Sequence, residues 1–153
     1  MAAQSYSLTF DGYWREPNIA GLPAQSGIYG VYACTYDAQA RTVSLNRLLY
    51  IGEAADVKGR VAGHEGWPTW KRKLKQGEVL CLNAALISPE GARQRAEAAM
   101  IFKHKPPCNT KYVENFPFDT TTITTSGKNA LMEASFTVTR TESAAASAFG
   151  RRW

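Results

Sequence analysis

Three apolar runs, each too short for a core helix, restrict what this 153-residue chain can fold into. They are "GIYGVYACTY" (27–36), "LNRLLYIG" (45–52) and "EVLCLNAALI" (78–87). Branched and aromatic residues bounded by glycine read as strands. The first two are joined by "DAQARTVS", a connection that suits a hairpin, and the third reads as a buried strand. The third is also too short to span a bilayer, and it contains Asn83.

One segment is unmistakably helical. In "SPEGARQRAEAAMIFKHK", Ser88 is expected at the N-cap, Pro89 at the first helical position and Glu90 at the positive end of the dipole. Lys103, His104 and Lys105 complement the other end before Pro106-Pro107 stops it. Ala96, Ala99, Met100, Ile101 and Phe102 form its apolar side. A weaker helix is expected over 54–64, with Val57 and Val61 facing inward, and a short one after Pro68 carrying "TWKRKLKQG".

The order strand, strand, helix, helix, strand, helix predicts an α/β (α+β) fold, a small three-stranded, mostly antiparallel sheet flanked by helices. Residues 1–25 read as an N-terminal extension. Residues 113–153, with "DTTTITTSGKN" and "TRTESAAASAFGRRW", read as a C-terminal extension, loosely packed and partly mobile. The start lacks a basic region followed by an apolar block, so no signal peptide is expected. Cys34, Cys81 and Cys108 have no metal or redox spacing and read as buried free thiols, which suits a cytoplasmic protein. A net charge of +5 leans toward a polyanionic partner such as nucleic acid.

Each polar residue in these elements has a structural and a chemical reading. Glu97 interrupts the apolar side of the long helix, where a carboxylate is costly unless compensated. It either pairs with Arg93 one turn back or holds a divalent metal. Asn109, after Pro106-Pro107-Cys108, is either a turn amide or one aimed back toward Glu97. Asp56, Arg60 and His64 recur every four residues. They form either a solvated face with an Asp56–Arg60 pair or a guanidinium and imidazole set for phosphate chemistry. Gly59 and Gly63 weaken that helix, at about 1 kcal/mol each, and make sense if backbone or ligand must approach closely. Tyr29 and Tyr50 sit on the first two strands and, taken singly, read as core residues.

Together the residues resemble a known pattern. "GIY" at 27–29 and "YIG" at 50–52 resemble the paired signature of the GIY-YIG nuclease superfamily. Arg60 lies ten residues after Tyr50, and Asn109 twelve after Glu97, as in that family. The resemblance covers residues 26–112. It implies a metal-dependent DNA endonuclease, a phosphodiester hydrolase using one Mg²⁺ (or Mn²⁺) held by Glu97. It further implies that Arg60 stabilises the transition state, and that Tyr29 and Tyr50 flank the attacking water, with Tyr29 accepting its proton. His64 would favour deprotonation of a phenol, and Asn109 would order the site.

Two departures from the family stand out. Glu53 follows YIG where repair-type members often carry lysine, and "EGWPTWKRKLKQG" is inserted after His64. Lys71, Arg72, Lys73 and Lys75 in that insertion, with Lys58, are the expected DNA contacts, beside Trp67 and Trp70. A homodimer is expected only by analogy with nucleases that cut both strands. The alternatives are a non-catalytic nucleic-acid-binding module with the same basic face, or a nuclease acting as a toxin or restriction component.

Overall fold

The protein's structure, a computed structural model, describes residues 2–141. Its centre is the expected hairpin: β2 (Gly27–Asp37) pairs antiparallel with β3 (Thr42–Ala54), and β4 (Val79–Leu86) pairs antiparallel with the other edge of β2. Side chains alternate across this sheet. Ile28, Tyr32 and Cys34 enter one core, while Tyr29, Val31 and Ala33 enter another on the opposite face.

The sheet does not stop at three strands. The expected N-terminal extension contains β1 (Gln4–Arg15), which pairs antiparallel with β4 and parallel with β5 (Thr121–Gly127); β6 (Ser135–Val138) completes the edge. The order is β3-β2-β4-β1-β5-β6, a six-stranded mixed, curled sheet. This overturns the expected small three-stranded sheet flanked by helices.

The physical reason lies in period-two patterns weak enough to miss. In β1, Leu8 and Phe10 are buried among serine and threonine; in β5, Thr121, Ile123 and Thr125 are buried and their neighbours less so. Threonine's branched Cβ fits a pleated surface, so a threonine run can be a strand. Residues 113–141 are therefore packed, with Phe116, Phe136 and Val138 in the core. The remainder of the expected mobile tail, 142–153, lies outside the described residues.

The long helix, α3 (Glu90–His104), covers the Ile28 face and buries Ala96, Ala99, Met100 and Ile101. Its start corrects the sequence reading. Pro89 is the N-cap and no side chain caps it; Ser88 lies outside. Arg95, buried on α3, ties the chain ends together. Its Nε donates to Thr121 Oγ1 (2.7 Å), and one terminal nitrogen donates to the carbonyls of Ala2, Asp119 and Thr120 (3.0 Å each). These carbonyl and hydroxyl acceptors hold the buried guanidinium, and the Asp119 carboxylate feels its charge.

The opposite face carries two short helices, α1 (Val57–Ala62) and α2 (Trp67–Arg72), and a 3-10 turn (Glu16–Gly21). Val57, Val61 and Trp70 are fully buried there. Asn83, at the centre of β4, is also fully buried and fully used. Its Oδ1 accepts from Gly30 N (2.8 Å), and its Nδ2 donates to Tyr32 Oη (3.0 Å) and the Lys128 carbonyl (2.8 Å). Gly30 is required beside it, because a Cβ there would lie 2.6 Å from Asn83 Oδ1. All three cysteines are free thiols, Cys34 and Cys81 buried and Cys108 partly so. Among the described residues, no helix is long and apolar enough to cross a membrane.

Candidate active site

The site forms where β3 is the sheet's outer strand and α1 and α3 approach it from opposite faces. Register places Gly52 opposite Tyr29 and Tyr50 opposite Val31. Tyr32 then faces Leu48, so Leu49 is an extra residue in β3. Because Val31 and Tyr29 share a face, the regular pairing ahead of this bulge puts Tyr50 beside Tyr29, their rings 6.3 Å apart. Gly52 is dictated by this packing, since a Cβ would lie 2.4 Å from the Tyr29 ring.

His64 follows α1 and closes the cluster, its ring 5.4 Å from Tyr50, 6.3 Å from Tyr29 and 4.6 Å from Trp70. Its Nδ1 accepts from Gly66 N at 2.8 Å, which leaves the proton of the neutral ring on Nε2. That Nε2 is buried and, among the described residues, has no hydrogen-bond partner. Burial pushes the imidazole below its ordinary value and Arg60 adds to the effect, so His64 is a neutral donor rather than a base. Gly66 is fixed by this arrangement, as a Cβ would fall 2.8 Å from His64 Nδ1.

Arg60 projects from the end of α1, and its two terminal nitrogens donate to Glu65 at 2.8 and 2.9 Å. The Asp56–Arg60 pair of the structural alternative does not form; Glu65 takes the guanidinium. Asp56 instead caps α1, accepting from Gly59 N at 3.1 Å. A Cβ on Gly59 would meet the Asp56 carboxylate at 2.5 Å, while Gly63 is the C-cap in open space. Only Gly59 is thereby accounted for; at Gly63, with φ −106° and open space beside it, nothing local calls for glycine.

The free edge of β3 is covered by the two residues that the sequence singled out downstream. Asn109 spends both ends of its amide on Ile51, accepting from its N–H and donating to its carbonyl at 2.9 Å each, and Cys108 N donates to the Leu49 carbonyl at 2.9 Å. One step along, the Glu53 backbone N–H lies near the Glu97 carboxylate and favours its ionised form. Desolvation and then the neighbouring Glu53 carboxylate push Glu97 up to about 8, against Lys111 and Arg93. Arg93 does not make the expected pair with Glu97. Its Nε donates to Glu53, a terminal nitrogen reaches Ser26 Oγ at 3.0 Å, and Glu90 lies 3.8 Å away.

Electrostatics join the parts. Burial raises both phenols; Glu97 and Glu53 raise them further and Arg60 pulls them down. Tyr29, Tyr50, Arg60, His64 and Glu97 thus share one neighbourhood, with Asn109 holding its strand. Sequence reasoning missed Glu65 and Lys111, and it did not foresee Arg93 as the partner of Glu53. Glu65 directly after His64 was the available signal, a carboxylate within reach of Arg60.

The basic insertion is only partly free. Lys71 Nζ donates to Glu16 (3.0 Å) and lies 5.9 Å from the Trp67 ring, and Arg72 contacts Thr69 (3.1 Å). Lys58, Lys73 and Lys75 are exposed. Trp70 is buried, and Trp67 donates its indole N–H to the Val61 carbonyl at 2.8 Å, so both tryptophans are structural. Among the described residues, no group of three or more His, Cys, Asp or Glu is placed to hold a metal. No family model, curated protein or solved structure matches the chain.

Proposed function

We propose that this protein is a divalent-metal-dependent DNA endonuclease that hydrolyses phosphodiesters at a GIY-YIG-type site. The observation that carries this reading is the pair of phenols at Tyr29 and Tyr50 acted on by a guanidinium and a half-buried carboxylate delivered from different helices. A packed core has no need for that set, and a phosphate with its attacking water does.

Glu97 fits a metal ligand by its chemistry. Its carboxylate is desolvated beside Glu53, and Lys111 and Arg93 offset that only in part; a hydrated Mg²⁺ or Mn²⁺ would supply the remaining positive charge with one protein ligand and several waters. A bound cation supplies Lewis-acid stabilisation of the phosphate and of the leaving oxygen. Arg60 exchanges Glu65 for a non-bridging phosphate oxygen and offers the same bidentate donors to the transition state. Burial keeps the Tyr29 phenol protonated, so it orients the water. Tyr50 is less buried and nearer His64, whose free Nε2–H can stabilise a phenolate there. That makes Tyr50 the better proton acceptor, the reverse of the sequence expectation. Asn109 fixes Ile51 between Tyr50 and Gly52 and acts as a positioning residue.

The Arg60–Glu65 pair favours one second reading, a nucleic-acid-binding module that does not cleave, since it neutralises the guanidinium that acts on both phenols. A plasmid-nicking assay in Mg²⁺ or Mn²⁺ separates the two. The nuclease reading expects cleavage that chelator and Glu97→Gln each abolish, with DNA binding retained. Binding without nicking in the wild type establishes the second reading.

A further inference from the structure

A cleft of about 470 Å³ opens at the turn end of the β2–β3 hairpin. It is lined by Tyr13, Arg15, Tyr36, Arg41 and Lys128, with Asn18 at the rim. Tyr36 is seven residues along β2 from Tyr29, roughly 23 Å at strand spacing, so this cleft is separate from the phenol pair.

Its chemistry is one-sided, with three cations and no carboxylate among the described residues of the lining. Two nearby acids are committed elsewhere. Asp37 accepts from the Gln39 and Ala40 N–H groups in the hairpin turn (3.0 and 3.1 Å), and Glu16 takes Lys71. Two aromatic rings are held in place. Tyr13 is the extra residue of a β1 bulge between Gly12 and Trp14, and its hydroxyl accepts from Ala130 N at 3.0 Å. The Arg15 guanidinium lies 3.7 Å from the centroid of the Tyr36 ring. A guanidinium fixed over a ring leaves its other face for a planar base and its N–H edge for an anion. Fixed cations beside a stacking platform are how nucleotides are gripped without sequence preference.

We propose that this cleft binds a nucleoside monophosphate unit, free or within a single strand, with the phosphate on Arg41 and Lys128 and the base stacked on the Arg15–Tyr36 pair. The proposal goes beyond the nuclease reading and does not require hydrolysis.

The test is equilibrium binding to the full chain, in EDTA so that nothing is cut, of thymidine monophosphate, thymidine, inorganic phosphate and a labelled ten-residue oligothymidylate. Arg41 and Lys128 are exposed, so Arg41→Ala and Lys128→Ala leave the fold intact. Each is expected to weaken the monophosphate at least fivefold and to reduce the oligonucleotide's log–log salt slope by roughly 0.7. Lys103→Ala, a charge control on α3, is expected to stay within twofold. Tyr36→Leu is expected to weaken the monophosphate while leaving inorganic phosphate unchanged. Glu97→Gln is expected to leave all four ligands unchanged, whatever becomes of nicking. Losses confined to the oligonucleotide identify the strand as the source of the unit; losses with the free monophosphate as well identify both. Affinities for both nucleotide ligands that are equal in wild type, Arg41→Ala and Lys128→Ala overturn the proposal, as does a monophosphate no tighter than inorganic phosphate.

Discussion

Replacing Glu97 by glutamine is expected to make this protein more stable at alkaline pH while removing its proposed activity. The carboxyl titrates at about 8 in the fold against 4.5 in an open chain, chiefly because burial and the Glu53 carboxylate disfavour its anion. Between those two pH values the folded state holds a proton that the unfolded state has released, so stability falls as pH rises. Each pH unit is worth about 1.4 kcal/mol, so the whole interval from 4.5 to about 8 is worth about 5 kcal/mol as an upper figure. Glutamine keeps an oxygen for the Glu53 N–H and carries no charge. The two proteins should therefore be about equally stable near pH 4, below the open-chain value, and the variant should lead by several kcal/mol at pH 8.5. Urea unfolding of both proteins at several pH values measures this. His64 and His104 are held below their ordinary values by burial and destabilise the fold as pH falls through about 6.5, but they titrate in both proteins and cancel in the difference. Millimolar Mg²⁺ should stabilise the wild type at pH 8.5 and leave the variant unmoved, by linkage to the ionised carboxylate. Parallel pH profiles for the two proteins would refute the description of Glu97 as a desolvated, charge-deficient carboxylate.

Three further outcomes are expected. Glu65→Gln releases the Arg60 guanidinium and should tighten DNA binding without shifting the fold's thermal midpoint, because both partners of the pair are exposed; fluorescence anisotropy that finds unchanged affinity would count against Arg60 as a phosphate ligand. Asn83→Leu strands the Gly30 N–H and the Lys128 carbonyl and should cost about 2–3 kcal/mol in urea unfolding; a neutral result would show that the loop after β5 relaxes freely. Charge reversal at Lys73 and Lys75 should weaken DNA of every sequence alike and reduce the log–log salt slope by roughly 0.9 for each phosphate no longer neutralised, whereas reversal at Lys71 should do less because Glu16 already holds it.

How far the sequence carried the structure depended on the kind of signal. The hairpin, β4, α3 and the inward valines of α1 were readable because dense apolar patterning marks each locally. The flanking strands were not. β1 spreads Leu8 and Phe10 among hydroxyl residues, and β5 is mostly threonine, so their burial is decided by a sheet assembled from both chain ends. Arg95, which ties Ala2 to Thr120, reads in the sequence as one more surface cation. The ion pairs failed for a related reason. Helix spacing nominated Arg93 for Glu97 and Arg60 for Asp56, but a neighbour four residues away loses to a strand partner such as Glu53, or to a loop carboxylate such as Glu65, once the fold brings it closer.

The candidate site was legible as a set of residues and not as a division of labour, and the edge of β3 explains the difference. An outer strand needs its unpaired N–H and C=O groups covered, whatever the protein does. Here the cover is supplied by Cys108 and Asn109, with the Glu97 carboxylate near the next outward N–H, that of Glu53. Asn109 alone would satisfy a purely structural demand, since a neutral amide closes both bonds to Ile51. Glu97 exceeds that demand. A glutamine would present the same oxygen to the Glu53 N–H without an ionisable group, so the carboxyl, already faced by Lys111 and Arg93, is the feature on which the proposed metal role rests. The same logic separates Tyr29 from a core phenylalanine. Gly52 is kept bare to seat that ring, yet the hydroxyl it carries lies near Glu97, Glu53 and Arg60, where a phenol is of use to a ligand and of none to packing.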